Sequence, residues 1–403
     1  MTTQQTTDLY KQYVMSTYAQ SLVLVKGQGA RVWDADGNVY LDFLGGVAVL
    51  SLGHCHPKLV QALHAQAQTV MHVSNLFYNE NQPRLAQKLI EKFGPGKCFF
   101  CNSGAEANEG LIKLARLWGN KQGKNEIVSM VNSFHGRTLA AITATGQTKY
   151  QKGFEPLPTG FSYATFNDIE SVQSVVTDKT AAIFVEAIQG EGGVIPATPE
   201  FIAGLRKLCD DKNILLIFDE VQTGVGRTGR WFGFQHFGIQ PDAISLAKGL
   251  GGGFPVGAIV AGPKIAEVFQ AGHHASTFGG TPLACAAALT VLQVVEDEGL
   301  RQNAAAMGER FRAGLAAIAN KYAWAGAGVR GMGLMLGLVL DRPAKDLEIQ
   351  MRKHGLLAIA TAEKTVRFLP PLNVHEAEID EALEIVAKSC AAFDASLASA
   401  AKP

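Results

Sequence analysis

The chain has 403 residues, a formal net charge of zero, 47% hydrophobic residues and 18% charged ones. That length exceeds one ordinary domain, so a large domain with at least one smaller companion is expected, and the composition excludes a disordered, fibrous or disulfide-scaffold protein. With 36 basic residues set against 36 acidic ones and no dense Lys/Arg cluster, no nucleic-acid face is expected.

The opening MTTQQTTDLYKQ has neither a basic segment leading into an apolar core nor the Arg-rich pattern of a transit peptide, which points to a cytoplasmic protein. The longest apolar stretches, such as residues 331–340, are far shorter than the roughly 20 residues that span a bilayer, so no membrane anchor is expected. Cys55, Cys98, Cys101, Cys209, Cys285 and Cys390 are read as thiols, because so few cysteines in so long a chain make no disulfide framework.

In chain order, residues 22–45 read as short strands joined by the turn Asp34-Ala-Asp-Gly-Asn38. From about residue 83, apolar runs alternate with helical stretches, the runs falling at 98–101, 126–131, 181–185, 214–218 and 243–247. That alternation predicts an α/β domain with a mostly parallel sheet. Leu111, Leu114, Ala115 and Trp118 stand at i, i+3, i+4 and i+7, which predicts a helix with one face on that sheet. Beyond about residue 285 the pattern predicts an α+β domain. Its parts are a long helical region, a glycine-rich strand over 331–340, a strand near Arg367, a helix over 376–393, and a frayed, low-complexity tail over 395–403.

Three places carry candidate chemistry. The run 214–218 ends in Asp219 and Glu220, so a buried strand delivers a carboxylate at its carboxyl end, where open α/β sheets bind ligands. The run 243–247 ends in Lys248 and passes into Gly249-Leu-Gly-Gly-Gly-Phe-Pro255. A lysine there can be desolvated enough to act as a nucleophile, and the glycines allow close approach of a ligand. The loop Cys101-Asn-Ser-Gly-Ala-Glu-Ala-Asn-Glu109 opens the packing helix. Ser103 and Glu106 fit a capping box that needs no ligand, yet a glycine at a helix N-terminus also presents N–H groups suited to phosphate. Taken singly, each has a plainer reading as a solvated acid pair, a surface lysine or a simple cap.

Together with Phe134-His-Gly-Arg-Thr138, Val185-Glu186, Gln189-Gly-Glu-Gly192, Phe218-Asp-Glu-Val-Gln222, Ala247-Lys-Gly249 and Ser276-Thr-Phe-Gly-Gly280, these motifs resemble class III pyridoxal-phosphate aminotransferases over nearly the whole chain. The segments Leu52-Gly-His-Cys-His-Pro57 and Asn75-Leu-Phe-Tyr-Asn79 are similar to those of the acetylornithine aminotransferase group. The resemblance implies a type I PLP-transferase fold of class α/β. Its large domain, residues 56–285, would hold the mostly parallel sheet, and a smaller α+β domain would be made from segments 1–55 and 286–403.

It also implies pyridoxal 5′-phosphate as cofactor, carried as an imine on Lys248, whose freed amine then shuttles a proton. Asp219 would pair with the pyridinium nitrogen, which makes the ring an electron sink. Gln222 would bond the ring O3′, Phe134 would stack on the ring, and Ser103, Gly104 and Ala105 would meet the phosphate. Ser276 and Thr277 would arrive from the partner subunit of a homodimer, Thr277 touching phosphate and Ser276 on the substrate side. Arg137 would grip the α-carboxylate of an acylated ornithine, and Arg367 a second carboxylate, that of 2-oxoglutarate. Glu191 would mask Arg367 in one half-reaction. The implied donor is N²-acetyl-L-ornithine in arginine biosynthesis, with N-succinylornithine and N-succinyl-diaminopimelate as alternatives.

Three positions depart from the pattern. Val47 stands where aminotransferases of free ornithine carry tyrosine, which favours an N-acylated substrate, while Ala187 replaces a usual proline and Thr281 a usual asparagine. Other signals are set aside. Gly224-Val-Gly-Arg-Thr-Gly229 matches a dinucleotide fingerprint without the strand and helix it requires, so an NAD-dependent oxidoreductase is the lesser reading, with a non-catalytic binding protein beside it. Cys98 and Cys101 lack a second pair for zinc, and neighbouring residues such as His54 to His56, or His273 and His274, point opposite ways in extended chain, so no metal is assigned.

Overall fold

The computed structural model describes residues 1–400. Strands β1 (Leu24–Gln28), β2 (Arg31–Asp34) and β3 (Val39–Asp42) open the chain. The turn between β2 and β3 is tied by the Asp34 carboxylate, which accepts from the backbone N–H groups of Asp36 and Asn38 and from the Tyr40 hydroxyl. Strands β4 (Lys97–Cys101), β5 (Glu126–Met130), β6 (Phe161–Ala164) and β7 (Thr180–Glu186) follow. The short pair β8 (Ile188–Gln189) and β9 (Ile195–Pro196) brackets the turn that holds Glu191. Next come β10 (Leu215–Asp219), β11 (Ala243–Leu246) and β12 (Gly257–Ala261).

The central sheet has seven strands in the order β4-β12-β11-β10-β7-β5-β6. The run from β11 through β10, β7 and β5 to β6 is parallel, and β12 lies antiparallel to both of its neighbours. Every residue of β7, β10 and β11 is buried, which is why these strands read as unbroken apolar runs rather than alternating ones. The helix Gly104–Asn120 packs on the sheet with Leu111, Leu114 and Ala115 buried and Trp118 at the edge of their cluster. Parallel strands put their carboxyl ends on one edge. In register, Asp219 stands beside both Glu186 and Ser245, and β11 runs straight on to Lys248.

The remaining strands are β13 (Val329–Met332), β14 (Met335–Val339), β15 (Leu356–Leu357), β16 (Ile359–Thr361) and β17 (Thr365–Phe368). β15 pairs in parallel with β3, so the two ends of the chain share one sheet of order β1-β2-β3-β15. A second sheet, β13-β14-β17-β16, carries Arg367.

The segment 331–340, expected as a single strand, is instead the body of an antiparallel hairpin that folds back at Gly333. Gly333 has φ +54, and a Cβ there would come within 2.6 Å of the Thr228 backbone, so glycine forces the turn that its apolar neighbours conceal. The last helix runs over Glu376–Ala400, past the end expected at residue 393. Alanine is the strongest helix former, and so the tail expected to fray is helical as far as residue 400. The rest of that tail lies outside the described residues. Among the described residues no helix is long and apolar enough to cross a membrane.

Candidate active site

A cavity of about 420 Å³ opens at the carboxyl edge of the central sheet. Ser103, Gly104, Ala105, Phe134, Arg137, Asp219, Gln222 and Lys248 all line it. They come from four separate places in the chain, brought together by the parallel strand order.

Asp219 is 5% exposed. Its Oδ2 accepts from Asn108 Nδ2 and His135 Nδ1, each at 2.8 Å, and its Oδ1 from the Val221 backbone N–H at 3.0 Å. Glu186, in register on the next strand, has one donor, the Phe134 backbone N–H at 3.0 Å, and its Oε2 is buried without a partner. A buried carboxylate is stabilised by donors, and Asp219 is the better supplied of this pair. Burial, then the charge of Asp219, pushes the Glu186 carboxyl well above the ordinary range. His135, Glu186 and Asp219 bring ligand-type atoms within 4.8 Å of one another, and His135 uses its Nδ1 on Asp219 rather than pointing it away.

Lys248 sits two residues past the end of β11 with φ +43, a left-handed conformation that is costly for a side-chain-bearing residue and is typically stored at functional sites. Among the described residues no ion pair or hydrogen bond holds its amine. Burial, and then the positive charge of Arg367, lowers its pKa to about 8, against the opposing pull of Glu191, Asp219 and Glu186. About a tenth of the amine is therefore neutral, and nucleophilic, at pH 7, against less than about a thousandth for an ordinary lysine.

Ser103 caps the helix Gly104–Asn120, its hydroxyl accepting from the Glu106 N–H at 3.2 Å. The return arm of the expected capping box differs by one residue, because Glu106 Oε2 accepts from the backbone N–H of Asn102 at 2.8 Å. The N–H groups of Gly104 and Ala105 lie in the first turn of the helix, where no intrahelical carbonyl can accept from them, and both residues line the cavity. A Cβ at Gly104 would stand 2.8 Å from Val221, so glycine is what lets this helix end approach β10. The arrangement suits an anion.

Arg367, 1% exposed on β17, pairs with Glu191 Oε1 at 2.7 Å and donates to Gln222 Oε1 at 3.1 Å. The pair lies behind Gln222 rather than on the cavity wall. Burial would raise the Glu191 carboxyl, but the charge and hydrogen bond of Arg367 outweigh it and hold the carboxyl below its ordinary value. Gln222 in turn fills the space that a Cβ on Gly190 would need, 2.7 Å away. Ser276 hydrogen-bonds a lining residue, its hydroxyl accepting from Asn102 Nδ2 at 3.2 Å, while Thr277 is exposed and is not among the lining residues.

Val47 does not line the cavity; it packs against the cluster of Ala48, Ile188, Val194, Met335 and Leu369, and Val49 faces the cavity instead. The cause is a left-handed turn with φ of +54, +62, +63 and +66 at Gly45, Gly46, Val47 and Ala48. The Asp42 carboxylate fixes this turn by accepting from the Leu44 and Gly45 N–H groups and from His54. The glycine motif at 224–229 is a packed turn, where a Cβ at Gly226 would meet Leu372 and one at Gly229 would meet Ala305, each at 3.1 Å.

Asn108, His135 and Glu186 were given no role by sequence reasoning, although each lies inside a motif quoted above. Asn108 carried a readable signal, because it falls at i−3 from Leu111 and i−7 from Ala115 on the buried stripe of its helix. A polar residue on such a stripe needs a partner.

The family model described as "Aminotransferase class-III" matches residues 13–390. The chain is a class-III aminotransferase. It is 52% identical over 381 residues, 93% of this chain and 96% of the other, to a protein named acetylornithine aminotransferase from Caldanaerobacter subterraneus subsp. tengcongensis. The fold of an ornithine aminotransferase from Toxoplasma gondii matches with a TM-score of 0.94 at 35% identity, over 98% of this chain and 96% of that one. An acetylornithine aminotransferase from Elizabethkingia anophelis matches with a TM-score of 0.86 at 33% identity, over 96% and 99% of the two chains.

The lowered pKa of Lys248 has a direct consequence for this aminotransferase. Only the neutral amine attacks a carbonyl, so condensation of Lys248 with an added aromatic aldehyde should accelerate as pH rises to about 8 and then level off. An ordinary lysine would keep gaining to above about pH 10. Peptide mass mapping of the reductively trapped site against pH reads this directly, and a rate still climbing steeply above about pH 9 contradicts the burial argument.

Proposed function

We propose that the chain transfers the terminal amino group of N²-acetyl-L-ornithine to 2-oxoglutarate, giving N-acetyl-L-glutamate 5-semialdehyde and L-glutamate, with pyridoxal 5′-phosphate as its resident cofactor. The observation that carries this reading is one cavity walled by a neutralisable lysine, Lys248, and by a multiply donated buried carboxylate, Asp219. The group fits the residues present. The unpaired N–H groups at Gly104 and Ala105 suit its phosphate, and Asp219 offers a charge that no basic side chain except His135 already meets. When bound, the cofactor supplies a carbonyl for the amine and an electron sink for the carbanion.

In this reading Lys248 would hold the cofactor and its amine would move the proton at the substrate carbon. Asp219 would face the ring nitrogen, with His135 and Asn108 holding the carboxylate in place. Phe134 would pack on the ring, and Gln222, whose Oε1 is taken by Arg367, has its amide nitrogen left to donate. Arg137 on the cavity wall takes the α-carboxylate of the donor. Arg367 takes the second carboxylate of 2-oxoglutarate once Glu191 swings away, so the present ion pair is the form that accepts a donor with only one carboxylate. The name carried by the 52%-identical relative supports an N-acetylated donor over free ornithine; N-succinylated donors are the competing choice.

The reading includes a homodimer, to which exposed Leu76, Phe77, Tyr78 and Phe278 lend support as one apolar surface. Asn75 joins their two segments by donating to the carbonyls of Ser276 and Gly279, each at 2.9 Å. Thr277, away from its own cavity, is then free to reach the partner's. We take the segments 1–55 and 286–403 as one small domain around the large one, supported by the shared β1-β2-β3-β15 sheet, and a cytoplasmic location as suited to biosynthesis.

Borohydride treatment of the purified holoprotein should attach a pyridoxyl group to the Lys248 peptide, and turnover should be faster with N-acetylornithine than with the N-succinyl donors. A label on another lysine, or none, overturns the reading. Glu191→Ala should slow the N-acetylornithine half-reaction and the 2-oxoglutarate half-reaction by different factors in stopped-flow traces; equal losses contradict the gate.

A further inference from the structure

Arg137 is exposed at the cavity mouth, and among the described residues it makes no ion pair. A long side chain with a free charged head samples many rotamers, and freezing them on binding costs affinity. Something has to hold it if it is to meet a carboxylate ready aligned. Its backbone is held from one side. Glu109 accepts from the Thr138 hydroxyl at 2.6 Å and from the N–H groups of Ala140 and Ala141, pinning the start of the helix Leu139–Ala144 just beyond Arg137. None of those bonds reaches the guanidinium.

The guanidinium instead lies over an aromatic ring. Its central carbon is 4.0 Å from the centroid of Tyr150 and 5.6 Å from that of Phe134, and the two rings meet edge to face at 5.8 Å. Tyr150 itself stands on a braced turn, Thr148–Gln151. Gln151 Nε2 reaches the carbonyls of Ile142, Thr143 and Thr145 and the Tyr163 hydroxyl, and Gln147 Nε2 donates to the Ser133 carbonyl at 2.9 Å. The Tyr150 hydroxyl makes no hydrogen bond among the described residues, so the useful part of this side chain is its face. A planar guanidinium stacked on a ring keeps its N–H edge free for a carboxylate.

We propose that Tyr150 is a positioning residue for substrate recognition, its ring fixing the Arg137 guanidinium so that it engages the donor's α-carboxylate without first losing rotamer freedom. The inference rests on the reading of Arg137 as the carboxylate site and adds a residue that no motif in the chain announces. Phe134 thereby has two neighbours with different tasks, the ring it packs on and the tyrosine that shapes the arginine.

The test compares N-acetylornithine with its α-carboxamide analogue, using the holoenzyme and the variants Tyr150→Leu and Tyr150→Phe. Tyr150→Leu should raise KM for the acid about three- to tenfold while changing kcat less than about twofold, and should leave KM for the amide unchanged. Tyr150→Phe, which keeps the face, should behave as wild type. Equal losses on acid and amide, or a Phe variant as poor as the Leu variant, overturn the proposal, as does a Leu variant that keeps the full preference for the acid. If the wild-type protein itself shows no preference for acid over amide, the assignment of Arg137 fails first, and that outcome is distinct from the others.

Discussion

Placing an amine and two carboxylates together in one buried site is costly, and the distribution of donors decides which group is stabilised. Asp219 receives four hydrogen bonds, the longest from Ser245 Oγ at 3.5 Å, and Glu186 one, although the two stand side by side in register. Glu186 is therefore the group driven toward its protonated form. The amine of Lys248, held in a left-handed backbone and denied a close counter-ion, is correspondingly easy to neutralise. A base that can give up its proton thus faces a carboxylate held by several donors. The proposed chemistry requires that asymmetry, because the lysine must attack and later move protons while the aspartate holds a fixed charge.

The sheet makes the arrangement possible. Parallel β7, β10 and β11 all finish on one edge, so three residues distant in sequence arrive with a common orientation. The helix Gly104–Asn120 crosses the same sheet and contributes both its free N–H groups at one end and Asn108 one turn later. On the far side, β17 inserts Arg367 behind Gln222, where the turn between β8 and β9 supplies Glu191. Charge in the cavity and charge behind it are linked through one glutamine side chain. The state of the Glu191–Arg367 pair can be sensed at Lys248 because Arg367 lowers, and Glu191 raises, the pKa of its amine.

Much of this was legible in the sequence. Buried parallel strands leave unbroken apolar runs, and an acid or a lysine that ends such a run stands out, as Asp219 and Lys248 do. The α/β alternation likewise follows from periodicity. What was hidden depends on backbone geometry or on partners far away in the chain. Gly333 turns one expected strand into a hairpin through a positive φ and a contact with Thr228. The left-handed turn at residues 45–48 gives Val49, not Val47, to the cavity. Tyr150 lies in a short polar stretch with no pattern of its own, and only its 4.0 Å approach to Arg137 marks it out. The shared sheet of β3 and β15 joins segments more than three hundred residues apart, with no local signal in either.

The central claim is that Asp219 serves the chemical step through its fixed negative charge rather than by holding substrate. Single-turnover stopped-flow on holoenzyme carrying Asp219→Asn, with N-acetylornithine as donor, isolates that step from release. The account predicts a donor dissociation constant within about threefold of wild type and a rate of amino transfer lower by about a hundredfold or more. A variant that transfers at nearly the wild-type rate, or one whose whole defect is weakened donor binding, would contradict it.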